Sequence, residues 1–172
     1  MRNISFTILA LLMQLNLLAQ TKISELKPTE YFDFWIGEWE LSWQNSDGTI
    51  GKGENHIFST LSGKVIEENF RVSSDPNMSN FRGKSWSVYN QKDETWYQTW
   101  VDNQGAYLDF IGEIDGNKRI FKRVSVNTDG STIQQRMVFY NISPSSFTWD
   151  WQNSTNKGKT WILRWRIEYK RK

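Results

Sequence analysis

Residues 160–170 read Thr-Trp-Ile-Leu-Arg-Trp-Arg-Ile-Glu-Tyr-Lys, and the spacing within this stretch decides the fold. Successive side chains on a β-strand point to opposite faces. Trp161, Leu163, Trp165, Ile167 and Tyr169 therefore share one face, and Ile162, Arg164, Arg166, Glu168 and Lys170 the other. The second face is mostly charged, so the first is expected to point inward. The same even spacing recurs in Trp39 and Trp43, Trp96 and Trp100, and Trp149 and Trp151. Ten tryptophans occur in 172 residues, none of them in the first 34 positions. Large flat groups with one N–H donor each thus line one side of a sheet. That is how a barrel interior is filled, or how a pocket for a flat ligand is walled.

Outward from that stretch, alternating runs are separated by Gly paired with Asn or Asp, as in Asp47-Gly48, Asp115-Gly116-Asn117 and Asp129-Gly130. These are hairpin signals. Strands are expected at 39–44, 50–59, 64–72, 83–90, 94–102, 106–113, 118–126, 131–141, 146–152 and 160–170. The links are too short for parallel crossovers, so an antiparallel meander follows. Ten twisted strands with one apolar face either close or split into a sandwich. Closure removes the edges and needs only hairpins, so the expected fold is all-β, a closed antiparallel up-and-down β-barrel of about ten strands. A Greek-key sandwich is the alternative. One short helix is expected before the strands: Pro28-Thr29-Glu30 starts it, Tyr31, Phe34 and Trp35 share a face, and Gly37 stops it. It would cap an open end of the barrel.

The first residues read as a targeting segment. Arg2 supplies a positive charge, the run from Ile4 to Leu18 is largely apolar, and Ala19 offers a small residue for cleavage. The expectation is a signal peptide over 1–19, a single barrel domain over 20–172, and a secreted or periplasmic protein with no membrane span after signal removal. Cysteine is absent, so packing and sheet hydrogen bonds must hold the domain. Basic and acidic residues nearly balance, 21 against 19. The basic run at the C-terminus (Lys157, Lys159, Arg164, Arg166, Lys170, Arg171, Lys172) reads as a solvated strand face and a frayed tail. No nucleic-acid partner is expected.

Polar residues on the inward face carry the chemical information, because burying them unpaired is costly. Alternation places Glu68 inside with Ile66, Phe70 and Val72, and Gln98 inside between Trp96 and Trp100. Asp102 and Gln135 are further candidates, although Asp102 also suits a turn. Glu68 sits mid-strand among apolar neighbours. It could orient a ligand, act as a general acid with a raised pKa, or pair with an indole N–H or an arginine such as Arg123 or Arg136. His56, the only histidine, is a candidate acid/base, with a plain strand histidine as the alternative. No phosphate loop, dinucleotide fingerprint, nucleophile elbow or metal motif occurs, so no cofactor is expected.

Three stretches carry a resemblance: FDFWIGEWELSW at 32–43, QTWVDNQG at 98–105 and DWQNSTNKGKTWILRWRIEYKRK at 150–172. Together they resemble a poorly characterised bacterial family of secreted, lipocalin-like domains. The first is also similar to the opening of nitrobindin and fatty-acid-binding-type barrels of the calycin group. The resemblance implies a closed barrel with an internal cavity and a helical cap. Nitrobindin-type barrels hold haem through a late histidine, and no histidine follows His56 here.

The combined reading is a barrel that binds a small apolar or aromatic ligand. Trp86, Trp96, Trp100, Trp149 and Trp165 are its expected walls, and Glu68, Gln98 and Asp102 its polar anchors. The alternatives are an enzyme (isomerase, cyclase or carbohydrate-active) that uses Glu68 or His56 in the same cavity, and a binding module with tryptophans on its surface.

Overall fold

The structure, a computed structural model, describes residues 23–172, so the expected signal segment lies outside the described residues. Ten strands follow three single 3₁₀ turns, Ile23–Glu25, Pro28–Glu30 and Asp33–Trp35. The strands are β1 (Gly37–Gln44), β2 (Ile50–Thr60), β3 (Val65–Ser74), β4 (Arg82–Asn90) and β5 (Thr95–Asp102), then β6 (Tyr107–Asp115), β7 (Lys118–Val126), β8 (Thr132–Tyr140), β9 (Ser146–Ser154) and β10 (Ile162–Arg171). Each pairs antiparallel with its chain neighbours, and β10 returns to β1, closing the barrel. The up-and-down topology expected from the hairpin signals is therefore the one observed. Turn chemistry explains the tight links. Between β6 and β7, for example, Gly116 takes a φ of +57°, which a side chain would disfavour. Among the described residues, no helix is long and apolar enough to cross a membrane.

The expected two-turn helix is instead a series of 3₁₀ turns. Residues three apart nearly eclipse in that geometry, and the two most buried side chains here, Phe32 and Trp35, are three apart. They plug one end of the barrel. Phe32 stacks on Phe121 at 4.3 Å and meets Trp96 edge-on at 5.1 Å, while Trp35 packs against Phe139 at 5.2 Å. Polar contacts fix the plug to the wall. The indole N–H groups of Trp96 and Trp39 donate to the carbonyls of Pro28 and Trp35, both at 2.8 Å. Arg119 donates to the carbonyls of Tyr31 and Asn117.

The C-terminal residues are part of the wall, not a frayed tail. Arg171 and Lys170 pair with Trp39 and Glu40 to close the barrel. Earlier in β10 a bulge breaks the alternation: Leu163 pairs with Gln152, but Trp165 pairs with Trp151. One extra residue on β10 interrupts the inward–outward alternation before it. Leu163, expected inside, is therefore exposed, and Trp161 lies beneath the guanidinium of Arg136, 3.9 Å from its ring. Trp165, Ile167 and Tyr169 keep the expected inward direction.

Candidate functional site

A cavity of about 220 Å³ occupies the barrel interior, from Trp35 of the plug to Phe81 in the loop just before β4. Four tryptophans from three strands wall it: Trp100 on β5, Trp149 and Trp151 on β9, and Trp165 on β10. Edge-to-face packing keeps the rings apart. Trp149 and Trp165 meet at 5.7 Å and 87°, and Phe110 and Trp151 at 6.0 Å and 79°. Such pairs brace one another without collapsing face to face. The interior is therefore hollow at this level and not filled by its own indoles.

Among the described residues, Glu68 is the one carboxylate that lines the cavity, and only 5% of its surface is exposed. Alternation along β3 turns it inward between Ile66 and Phe70. One oxygen accepts from Asn55 Nδ2 at 2.6 Å, and the other accepts from Ser85 Oγ at 2.6 Å. The network continues sideways. Asn55 also donates to the Tyr169 hydroxyl at 3.3 Å, and Gln98 Nε2 donates to Ser85 and Ser87. Burial pushes the Glu68 carboxyl up to about 7, and the two hydrogen bonds only partly oppose it. The same burial, together with the nearby Glu68 charge, pushes the Tyr169 hydroxyl well above its ordinary range. Neither Arg123 nor Arg136 pairs with Glu68. Arg123 donates to Gln135 at 2.6 Å, and Arg136 donates to Gln152 at 2.8 Å.

Two buried donors on the lining stand unpartnered: the Nε1–H groups of Trp35 and Trp165. Most buried polar groups find a partner, so these two N–H groups are exceptions to the rule.

The expected site residues divide accordingly. Glu68, Trp100, Trp149 and Trp165 line the cavity. Gln98 stands one step behind Glu68 in the buried network. Trp96 is inside, as expected, but belongs to the plug. Asp102 serves the turn after β5, accepting the Gln104 and Ala106 amides and the Trp100 indole N–H at 3.1 Å. It thus anchors a wall residue without reaching the cavity. Trp86 is a correction: it is 38% exposed, on the outer face. The inward positions of β4 are Gly83, Ser85 and Ser87, all small, because side chains from β3 and β5 fill the space in front of them. His56 is likewise exposed on the outer face, beside Phe58, and cannot serve the cavity as acid or base.

Sequence reasoning does not single out Trp151 as a wall or Asn55 and Ser85 as the partners of Glu68, and it also misses Trp35 and Gly83. Trp35 was assigned to a cap and not to a cavity wall. Gly83 looked like a strand start, yet any side chain there would collide with the Trp100 ring. Among the described residues, no three His, Asp or Glu side chains come together as a metal site would need.

No protein-family profile matches the chain, and no curated protein does. Solved structures with a weak likeness include two redesigned β-barrels. A redesigned β-barrel, mFAP0, bound to DFHBI is 14% identical, with a TM-score of 0.42 over 80% of this chain and 99% of that one. A second redesigned β-barrel, b11L5F_LGL, is 12% identical, with a TM-score of 0.41 over 83% of this chain and 96% of that one. At such scores neither bears on what this chain does.

Proposed function

We propose that this protein is a secreted or periplasmic, lipocalin-like carrier that holds one small apolar or aromatic molecule inside the barrel. The observation that carries the reading is the hollow interior: an indole-walled cavity with two unpartnered indole donors and one buried carboxyl. Ligand sites are typically apolar concavities with a few oriented polar groups, and those for drug-sized molecules run from roughly 300 to 1,000 Å³. A cavity of about 220 Å³ calls for a smaller guest, one or two rings with short substituents. The N-terminal apolar run supports export.

Native mass spectrometry of the protein purified from its own host tests this. The expected result is a retained small molecule, in one-to-one ratio, released on denaturation. A bare mass, together with indole fluorescence that no small aromatic compound perturbs, would remove the carrier reading.

A second reading, an isomerase, cyclase or carbohydrate-active enzyme, rests on Glu68 alone. A buried carboxyl titrating near neutrality in a cavity suits proton transfer. It requires turnover whose pH profile disappears in Glu68→Gln.

A further inference from the structure

Glu68 is a buried carboxylate with no cation of its own. Its two hydrogen-bond donors, Asn55 and Ser85, are neutral. Among the described residues, no lysine, arginine or histidine lines the cavity. Of the guanidiniums of β7, Arg119 donates to the carbonyls of Tyr31 and Asn117, and Arg123 donates to Gln135 and lies over the ring of Phe110, its Nε unpartnered; neither bonds Glu68. Among the described residues, Tyr169 from β10 is the only other titratable side chain in the network around Glu68. Burial favours the protonated form of Glu68, and once ionised a buried charge is ordinarily paired, so the partner that the ionised form lacks is a positive charge. The surrounding walls favour one too. The faces of aromatic rings, indole above all, attract cations, and five indoles line this space.

Resting on the carrier reading above, we infer that the molecule taken up is a small organic cation, an amine or quaternary ammonium group on a compact carbon frame, held by the Glu68 carboxylate and the indole faces around it. An anionic guest would meet Glu68 as a like charge. Binding of a cation also returns Glu68 to its ionised form, which burial alone disfavours.

The test compares three probes of similar size by indole fluorescence and calorimetry: benzyltrimethylammonium, its neutral carbon isostere neopentylbenzene, and the anion phenylacetate. At pH 8 the cation is expected to bind at least tenfold more tightly than the isostere, and the anion to bind most weakly. Because the charge of the quaternary probe is fixed, its affinity should fall by up to about tenfold per pH unit as Glu68 takes up a proton below neutrality. Glu68→Gln should reduce the preference for cation over isostere to less than about threefold, a loss of roughly 0.7 kcal/mol or more. Should that variant not fold, the pH profile of the unaltered protein carries the same test. Equal or tighter binding of the isostere, or a flat profile from pH 5 to 8, overturns the cation inference and leaves the carrier reading standing. Silence from all three probes, combined with a bare mass from the host, brings down both.

Discussion

The indole N–H of Trp43 donates to the Asp75 carboxylate at 2.7 Å, tying the loop between β3 and β4 to the opposite side of the hairpin formed by β1 and β2. The same carboxylate accepts from Asn45 at 3.0 Å and from the amides of Asn77 and Met78. One buried acid therefore sets the shape of the loop that leads to Phe81, and Phe81 packs on Phe70 and Trp100 at the cavity's end. Gly51 leaves room for the arrangement, since a side chain there would strike both Trp43 and Asp75.

Removing this tie should cost stability and loosen the loop. Asp75→Ala leaves a buried indole N–H without a partner, a loss of about 1–3 kcal/mol, to be read from urea denaturation at pH 7. The carboxyl is held below its ordinary range. Burial acts to raise it, but the hydrogen bonds from Asn45, Asn77, Trp43 and Met78 outweigh that effect. A depressed acid stabilises the fold above its unfolded value and ceases to do so as pH falls through the folded one. The Asp75→Ala penalty should therefore be full at pH 6 and shrink below about pH 4. A penalty independent of pH would show that the contact acts through packing alone.

Glu68 predicts the opposite slope. Its folded value, about 7, lies above the unfolded one, so the folded chain holds a proton that the unfolded chain releases. Stability is then fullest at low pH, declines between roughly pH 4.5 and 7 by up to about 1.4 kcal/mol per unit, and levels off above that. Glu68→Gln keeps the hydrogen-bonding shape without the charge and should flatten this decline. Denaturation curves of both proteins at pH 5, 6, 7 and 8 check it. Parallel curves would mean that Glu68 titrates normally and is not desolvated.

The wall of the cavity depends on a residue without a side chain. Gly83 faces inward on β4, and its missing Cβ is where the ring of Trp100 rests. Gly83→Ala forces the indole aside and should cost about 1–3 kcal/mol as an overpacking change. It should also weaken probe binding more than a stability loss of that size explains. Fluorescence titration of the folded variant measures this, and unchanged affinity would place Trp100 outside the working wall.

Much of this was legible in the alternation. The faces of β3, β5 and β9 follow directly from period two, which is why Glu68, Trp100 and Trp149 stand where their spacing put them. Two departures have physical causes that a single sequence hides. β4 inverts the usual rule of large inside and small outside, because Glu68, Gln98 and Trp100 on its neighbours already fill the interior, so Trp86 is turned out. The bulge in β10 depends on register with β9, a property of two strands and not of one. Trp35 was legible as apolar, but its place in the cavity depends on 3₁₀ turns whose local sequence reads equally well as a helix.

The difference between the two faces gives a direct comparison of two tryptophans. Trp39 is fully buried against Phe147 and Tyr169, whereas Trp86 is 38% exposed on the outer wall. Trp39→Ala should lose about 3–5 kcal/mol, and Trp86→Ala no more than about 1 kcal/mol. Matched urea denaturation curves decide it. Comparable losses would contradict the assigned faces.

The final turn of chain supplies the last prediction. Arg171 donates to the carbonyls of Pro144 at 2.7 Å and Ile36 at 3.0 Å, and its guanidinium lies 4.2 Å from the Trp39 ring centre. It joins the last strand, the link between β8 and β9, and the plug that carries Trp35. A planar fork can serve these partners together, whereas an ammonium cannot. Arg171→Ala should therefore lose about 1–3 kcal/mol, and Arg171→Lys should recover less than half of that. Because the plug is the cavity floor, both variants should also broaden the indole emission of the folded protein. If lysine restores full stability, the charge over Trp39 is what matters, and the carbonyl contacts are incidental.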